Sequence, residues 1–143
     1  MTAAEIDPHD SRPERTTSVP KATGRFDVQL NPQATDAPIG RMSIDKQLYG
    51  DLEGTSKGEM LAVSSTAVKG SAGYVAMEVV TGTLHGRKGS FALQHNGTMN
   101  RGAQSLVVLV VPDSGTGELA QIAGTLRILI EGKEHRYELD YTL

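Results

Sequence analysis

Glu78 and His95 are the two residues whose types and spacing could support acid–base chemistry. Glu78 lies in the run GYVAMEVVTGTL, residues 73–84, and His95 lies in the run GSFALQHNGTM, residues 89–99. Burial and a close partner can move the pKa values of a carboxyl group and an imidazole towards neutrality, so the pair could act as a general acid or base. A buried carboxylate also needs a partner simply to be tolerated. The residue types therefore favour a structural or ligand-orienting pair over a catalytic one.

The two runs are expected to form an antiparallel hairpin. They are joined by the segment HGRK, a short glycine-containing connection typical of hairpins. If all four residues form the loop, Leu84 faces Gly89 and Glu78 lies directly opposite His95. A loop one residue shorter would place Glu78 opposite Gln94, without moving any side chain to the other face of its own strand. The first register predicts a cross-strand pair between Glu78 and His95.

The face that carries this pair has the composition expected of a small-molecule pocket, with apolar walls and a few convergent polar groups. The candidate ligand-binding residues are Glu78, His95, Tyr74, Phe91, Met60, Met99, Tyr137 and Tyr141. The predicted register places Gly82 opposite Phe91, whose ring would lie over the glycine backbone. Glu59 is expected to point to solvent. Tyrosine hydroxyls can orient a ligand, although two tyrosines in a core are equally ordinary. No residue is assigned a catalytic role.

The elements that position these residues are predicted to be strands. From Phe26 onward the apolar residues alternate or run continuously, and no segment has a helical period over three turns. Glycines separate short runs of strand-forming residues at intervals of about 8 to 12 residues. This spacing is typical of a β-sandwich or a β-barrel. Eight strands are predicted, over residues 25–31, 39–50, 52–66, 73–84, 89–99, 105–111, 121–130 and 134–143.

These strands predict an all-β fold, a single eight-stranded antiparallel β-barrel of up-and-down or calycin-like type. Closure removes the exposed edges that an open sheet would have to protect. A barrel of about eight strands is just wide enough to be filled by side chains or to hold one small ligand. The inward side chains therefore determine whether the interior is filled or has room for a ligand.

The chain of 143 residues is long enough for one domain. Residues 1–22 contain three prolines, many charges and almost no large apolar side chains, and are predicted to be a disordered tail. Residues 23–143 are predicted to form the barrel domain. There is no apolar run of about 18 residues and no secretory signal pattern, so we expect a cytoplasmic protein that does not contact a membrane.

Several classes of protein are disfavoured by composition. Cysteine is absent, which excludes disulfide scaffolds, cysteine-ligated zinc sites and thiol catalysis. The net charge is −3 and the basic residues are scattered, so the sequence predicts no basic patch that could bind a nucleic acid. The four histidines lack metal-binding spacings such as HxH. The run SGTGEL has the glycines of a phosphate loop but no following helix, and is interpreted as a hairpin turn. We predict no metal and no cofactor.

Three blocks of sequence resemble a known family. They are the run from residue 50 to residue 99, the segment VVPDSGTGEL and the ending HRYELDYTL. Together they resemble the bacterial family called domain of unknown function 3224, over residues 24–143. That family is similar in fold to allene oxide cyclase, a small β-barrel whose relatives bind hydrophobic molecules and often form oligomers. The resemblance implies a barrel with a ligand-sized interior, and it transfers no catalytic residue.

The function predicted from these observations is that of a binding module. The barrel would hold a small, largely apolar or aromatic molecule, with Glu78 and His95 orienting its polar end. One alternative is an enzyme of cyclase or isomerase type, in which confinement and one polar pair assist proton transfer. Another is a filled barrel that self-associates. The run LVVLVV, residues 106–111, is apolar on both faces, which indicates that another copy covers part of the outside and favours a homo-oligomer.

Overall fold

Alternating inward and outward side chains build one antiparallel sheet that closes on itself. The structure, a computed structural model, describes residues 19–35 and 38–143. Its strands are β1 (Lys21–Gln33), β2 (Gly40–Gly50), β3 (Leu52–Ser64), β4 (Ala72–Leu84), β5 (Arg87–Asn100), β6 (Ala103–Val110), β7 (Thr116–Gly117), β8 (Ala123–Glu131) and β9 (Glu134–Thr142). The sheet order is β4-β3-β2-β1-β9-β8-β6-β5, and pairing of β4 with β5 closes it. The predicted all-β, eight-stranded antiparallel barrel is confirmed.

One end of the barrel is filled by apolar side chains. The connection between β6 and β8 contains the two-residue strand β7, which pairs with the start of β5. Leu119 and Ile122 of this connection are buried in the core. They lie with Leu52, Leu84 and Tyr141, which come from the turns and strand ends at the same end of the barrel. We call this the closed end.

The first strand is longer than its prediction over residues 25–31. It extends from Lys21, opposite Asp140 of β9, to Gln33, opposite Arg41 of β2, because it pairs with a neighbour on each side. The predicted disordered tail covers residues 1–22, of which residues 1–18 lie outside the described part of the chain.

The prediction of a four-residue HGRK loop between β4 and β5 is wrong. Leu84 faces Arg87, and only His85 and Gly86 form the turn. Both turn residues have a positive φ, 46° and 83°. Two-residue turns of this geometry match the right-handed twist of the strands that they join, which explains why the hairpin is tighter than the sequence suggested.

The tighter turn shifts the hairpin register by two residues. Glu78 lies opposite Leu93 and His95 lies opposite Ala76, so the predicted direct pairing of Glu78 with His95 is wrong. Because the shift is an even number of residues, every side chain keeps its predicted face. The same shift corrects the predicted pairing of Gly82 with Phe91: the partners are Gly82 with Gly89 and Val80 with Phe91.

The other end of the barrel is open. Leu30 on β1, Leu106 on β6 and Ile130 on β8 occupy the inward side of their strands, yet Ile130 is 65% exposed and Leu106 is 40% exposed. Part-buried inward side chains of β2, β3, β4 and β5 lie at the same end. We call this end the mouth and define it by Leu30, Met42, Met60, Tyr74, Met99, Leu106 and Ile130.

The outer surface divides into a charged and an uncharged half. Outward positions on β9, β1 and β2 carry alternating charges, whereas residues 75–83 of β4, 90–98 of β5 and 105–109 of β6 contain no charged residue at their outward positions. Exposed apolar side chains lie on β4 and β6 and at the end of β3, while the outward positions of β5, between β4 and β6, are mostly polar and uncharged. We call the exposed apolar side chains the outer patch, which consists of Leu61, Val63, Val75, Met77, Val79, Val107 and Leu109. Residues 19–35 and 38–143 include no α-helix that could cross a membrane.

Candidate functional site

A buried ionic cluster lies between the filled end of the barrel and the mouth. Glu78 is 1% exposed and His95 is 4% exposed. Oε1 of Glu78 accepts a hydrogen bond of 2.6 Å from the hydroxyl of Ser56. Oε2 accepts one of 2.9 Å from the ammonium group of Lys46 and another from Nε2 of His95. We call these four residues the ionic floor.

The ionic floor is assembled from four adjacent strands. Lys46 on β2 pairs with Ser56 on β3, and Glu78 on β4 is the diagonal neighbour of His95 on β5. Gly58 lies opposite Glu78, and a Cβ atom there would come within 2.7 Å of the Glu78 Cβ. The absence of a side chain at Gly58 therefore lets β3 and β4 approach closely enough to hold Glu78 in place.

The surroundings of Glu78 keep its carboxyl group ionised. Burial raises its pKa, but the hydrogen bond from His95, the charge of Lys46 and the hydroxyl of Ser56 together lower it from 4.5 to about 2. The folded-state pKa lies below that of the unfolded chain. The stability that this carboxylate contributes is therefore fully present above about pH 5 and is lost as the pH falls towards 2.

We expect protonation of the Glu78 carboxylate to reduce the free energy of unfolding by about 3 kcal/mol when the pH falls from about 5 to about 2. The variant Glu78→Gln cannot ionise at this position, so its free energy of unfolding should depend less on pH over that interval. Urea denaturation of both proteins at a series of pH values measures the difference. Equal pH dependence in the two proteins would contradict the lowered pKa of Glu78.

Tyr74 covers the ionic floor on the side of the mouth. Its hydroxyl lies 3.3 Å from Nδ1 of His95. Burial, and then the negative charge of Glu78, raise the pKa of Tyr74, so the phenol keeps its proton and acts as the donor. The ring lies across the backbone of Gly97, where a Cβ atom would be 2.4 Å from the nearest ring carbon. Tyr74 is part-buried and belongs to both the mouth and the site.

The structure separates the remaining candidate residues into two groups. Met60 and Met99 are part-buried and lie at the mouth with Tyr74. Phe91, Tyr137 and Tyr141 are buried members of the apolar core. A role in holding a ligand stays a prediction for these six residues, as it does for Glu78 and His95.

The hydroxyl groups of the two core tyrosines have partners within the protein. Tyr137 Oη accepts a hydrogen bond of 2.9 Å from the amide of Leu52. Its single proton is directed to two carbonyl oxygens, that of Tyr49 at 2.9 Å and that of Leu52 at 3.0 Å. Tyr141 Oη lies 2.5 Å from Nδ1 of His85 in the β4–β5 turn. Both hydroxyls therefore stabilise the closed end, which favours the ordinary structural role.

Lys46 and Ser56 were not among the site residues predicted from the sequence. Lys46 lies between Ile44 and Leu48, which are buried on the same face of β2. A lysine on the apolar side of an amphipathic strand is the signal that could have found it, because a buried cation requires a buried anion. The outward Glu59 is exposed as expected, and it pairs with Arg41 on the outer surface.

The ionic floor has the geometry of a carboxylate–histidine pair. A carboxylate that accepts from one imidazole nitrogen orients the ring and stabilises positive charge on it, so the other nitrogen could take a proton from a bound molecule. A metal ion would need further ligands. Within residues 19–35 and 38–143, no group of three or more histidine, aspartate or glutamate side chains could hold a metal ion. The arrangement is suited to hydrogen bonding and proton transfer.

The fold and this cluster define a class of protein, a small antiparallel β-barrel with a buried ionic floor. The chain belongs to the family described as "Protein of unknown function (DUF3224)", whose model matches residues 22–141. It is similar to a crystal structure of a protein with unknown function from that family in Shewanella oneidensis MR-1. The two share 51% identity and a TM-score of 0.83, over 87% of this chain and 96% of the other. No curated protein matches.

The expected membership of this family is confirmed by the family model and by the solved structure. The wider resemblance to allene oxide cyclase stays a prediction.

Proposed function

We propose that the protein is a small-molecule-binding barrel that takes a largely apolar or aromatic molecule through its mouth. The observation that carries the proposal is the exposure of the inward side chains Leu30, Leu106 and Ile130. Inward positions of a filled barrel are buried, as they are at the closed end. Apolar side chains with a few polar groups among them are the usual lining of a ligand site, and the exposed inward side chains of the mouth supply the apolar part.

The ionic floor supplies the polar groups of this site. Glu78 and Lys46 carry opposite charges and bond to each other, so the floor adds no net charge when His95 is neutral. A ligand with an apolar body and one small polar group fits this arrangement, because the body covers the mouth while the polar group reaches His95 past Tyr74. The flexible methionines at the mouth can adjust to ligands of different shape.

We expect the variant Leu106→Lys to bind a neutral apolar fluorescent probe, N-phenylnaphthylamine, about tenfold more weakly than the wild type. Full burial of a leucine side chain is worth about 1.5–3 kcal/mol, and the added charge would have to lose water beside the probe. Fluorescence titration of the probe measures the effect.

Val107→Lys is the matched control for this experiment. Val107 is the next residue on the same strand and is 50% exposed, compared with 40% for Leu106, but it points to the outer surface. If both variants weakened probe binding equally, or if the probe did not bind the wild type, a binding site at the mouth would be contradicted.

The outer patch favours a second candidate function, self-association. Its side chains are about half exposed on β3, β4 and β6, and the outward positions of β5, between β4 and β6, carry no charge. A groove of about 660 Å³ crosses it, lined by Leu61, Val75 and Met77 and bordered by the Arg41–Glu59 ion pair. Large apolar patches with a polar rim mark protein interfaces. A second copy of the chain is the partner that fits, since it offers an equally neutral apolar surface and isologous contacts pair a patch with itself.

The same two lysine variants separate self-association from ligand binding. We expect Val107→Lys to reduce the oligomer to monomer and Leu106→Lys to leave it intact, because only the first places charges in the interface. Light scattering after size-exclusion chromatography measures the mass of each. A wild-type chain that stays monomeric at high concentration would contradict self-association. A cytoplasmic location, and a cyclase or isomerase activity, stay predictions.

A further inference from the structure

His95 presents one specific hydrogen-bonding group towards the mouth. Its Nε2 bonds to Oε2 of Glu78, and that ionised carboxylate can only accept hydrogen bonds. The proton of a neutral imidazole must therefore be on Nε2, which leaves the lone pair on Nδ1. Nδ1 is the atom that faces Tyr74. In its neutral form, His95 thus offers the mouth an acceptor.

The acceptor on His95 is only weakly occupied. The oxygen of Tyr74 lies 3.3 Å from Nδ1, which is long for a hydrogen bond because most are shorter than about 3.2 Å. Tyr74 is part-buried at the mouth, so its hydroxyl can move aside without leaving a polar group in the core. A ligand hydroxyl in the same place would replace a long contact by a better one.

The charges around His95 disfavour an anionic ligand. The ammonium group of Lys46 bonds to Glu78 and lies 4.8 Å from the ring centroid of Phe26, so its positive charge is already compensated. A carboxylate at the floor would meet the lone pair of Nδ1 and the negative charge of Glu78. An ether or ketone would also present only lone pairs to Nδ1.

We propose that the mouth is selective for molecules with a hydroxyl group, phenols or alcohols with an apolar body, whose O–H donates to Nδ1 of His95 in the place of Tyr74. The proposal rests on the proposed function and specifies its ligand class. In the absence of a ligand, the Tyr74 hydroxyl occupies the position of the ligand hydroxyl. Gly97 has no side chain, which allows the Tyr74 ring to lie beside the site.

Three probes that differ in one group test this selectivity. They are naphthol, its methyl ether and naphthoic acid, substituted at the same ring position. We expect naphthol to bind about tenfold more tightly than the ether, which has the same apolar body but cannot donate, and the acid to bind more weakly than either. Fluorescence titration with the full chain gives the three dissociation constants.

Two variants assign the selectivity to His95. In His95→Leu, the side chain can neither donate nor accept a hydrogen bond, so naphthol and its ether should bind equally. In Tyr74→Phe, the competing hydroxyl is removed, so naphthol should bind more tightly than to the wild type while the ether is unaffected. If His95→Leu fails to fold, the larger preference for naphthol over its ether in Tyr74→Phe still decides the question.

The tautomer of His95 can be measured without any ligand. Two-bond ¹⁵N–¹H correlation spectra, assigned by comparison with His95→Leu, should show a proton on Nε2 and none on Nδ1. A proton on Nδ1 would overturn the proposal. Equal binding of naphthol and its ether to the wild type would also overturn it while leaving the binding site at the mouth intact. Binding of none of the three probes would overturn the site itself, and the proposed selectivity with it.

Discussion

Replacing Glu78 by leucine is expected to lower the free energy of unfolding by about 3–5 kcal/mol. Leucine has a similar volume, so the loss does not come from a cavity. It comes from Lys46, whose side chain is 8% exposed and whose ammonium group would stay buried without a counter-charge. Ser56 and His95 would lose their acceptor in the same variant. Urea denaturation followed by circular dichroism measures the change.

The double variant Lys46→Met with Glu78→Leu is the control for this prediction. It removes both charges and replaces them with apolar side chains of similar size, and such replacements of buried ion pairs are often neutral or stabilising. We expect it to recover most of the lost stability. A double variant as unstable as Glu78→Leu would show that packing around Glu78, and not the unpaired charge of Lys46, determines the loss.

The sequence was sufficient to place Glu78 and His95 on the same inner face, although the predicted register was wrong by two residues. Side-chain alternation has a period of two, so an even error leaves each face unchanged. The two side chains are also long enough to meet diagonally across neighbouring strands. The contact between them was therefore predictable before the turn was known, whereas their cross-strand partners were not.

The turn and the partners of Glu78 could not be predicted so readily. His85 adopts a positive φ, which is uncommon outside glycine although histidine is enriched among the exceptions, so Gly86 was the main signal for the two-residue turn. Lys46 and Ser56 come from β2 and β3, and their distance from Glu78 depends on the registers of both the β2–β3 and the β3–β4 pairing. Two registers must be correct at once to predict such contacts, and an error in either moves Lys46 away from Glu78.

The position of the ionic floor connects the proposed ligand binding at the mouth with the proposed selectivity for hydroxyl groups. Within the described residues, every buried side-chain nitrogen and oxygen atom has a hydrogen-bond partner. A buried ion pair contributes little stability compared with apolar residues of the same size. Its presence directly beneath the mouth is better explained by recognition, because it fixes the orientation of His95 and so the group that a ligand meets.

The close approach of β3 and β4 at Gly58 leads to the second large prediction. A Cβ atom at this position would lie 2.1 Å from the carbonyl oxygen of Met77 and 2.6 Å from the Cα atom of Glu78. Both are backbone atoms, which cannot move aside without disturbing the sheet. The variant Gly58→Ala is therefore expected to lower the free energy of unfolding by about 3 kcal/mol, at the upper end of the usual cost of overpacking.

Gly73→Ala is the matched control for Gly58→Ala. Gly73 also lies within the sheet, on β4, but a Cβ atom there would have the carbonyl oxygen of Gly97 as its nearest neighbour, at an ordinary contact distance of 3.8 Å. Because alanine restricts the unfolded chain more than glycine does, this variant should keep or gain up to about 1 kcal/mol of stability. Thermal and urea denaturation of both variants compare them directly. Equal stability of the two would contradict the tight approach of β3 to Glu78, and with it the explanation of how the ionic floor is held in place.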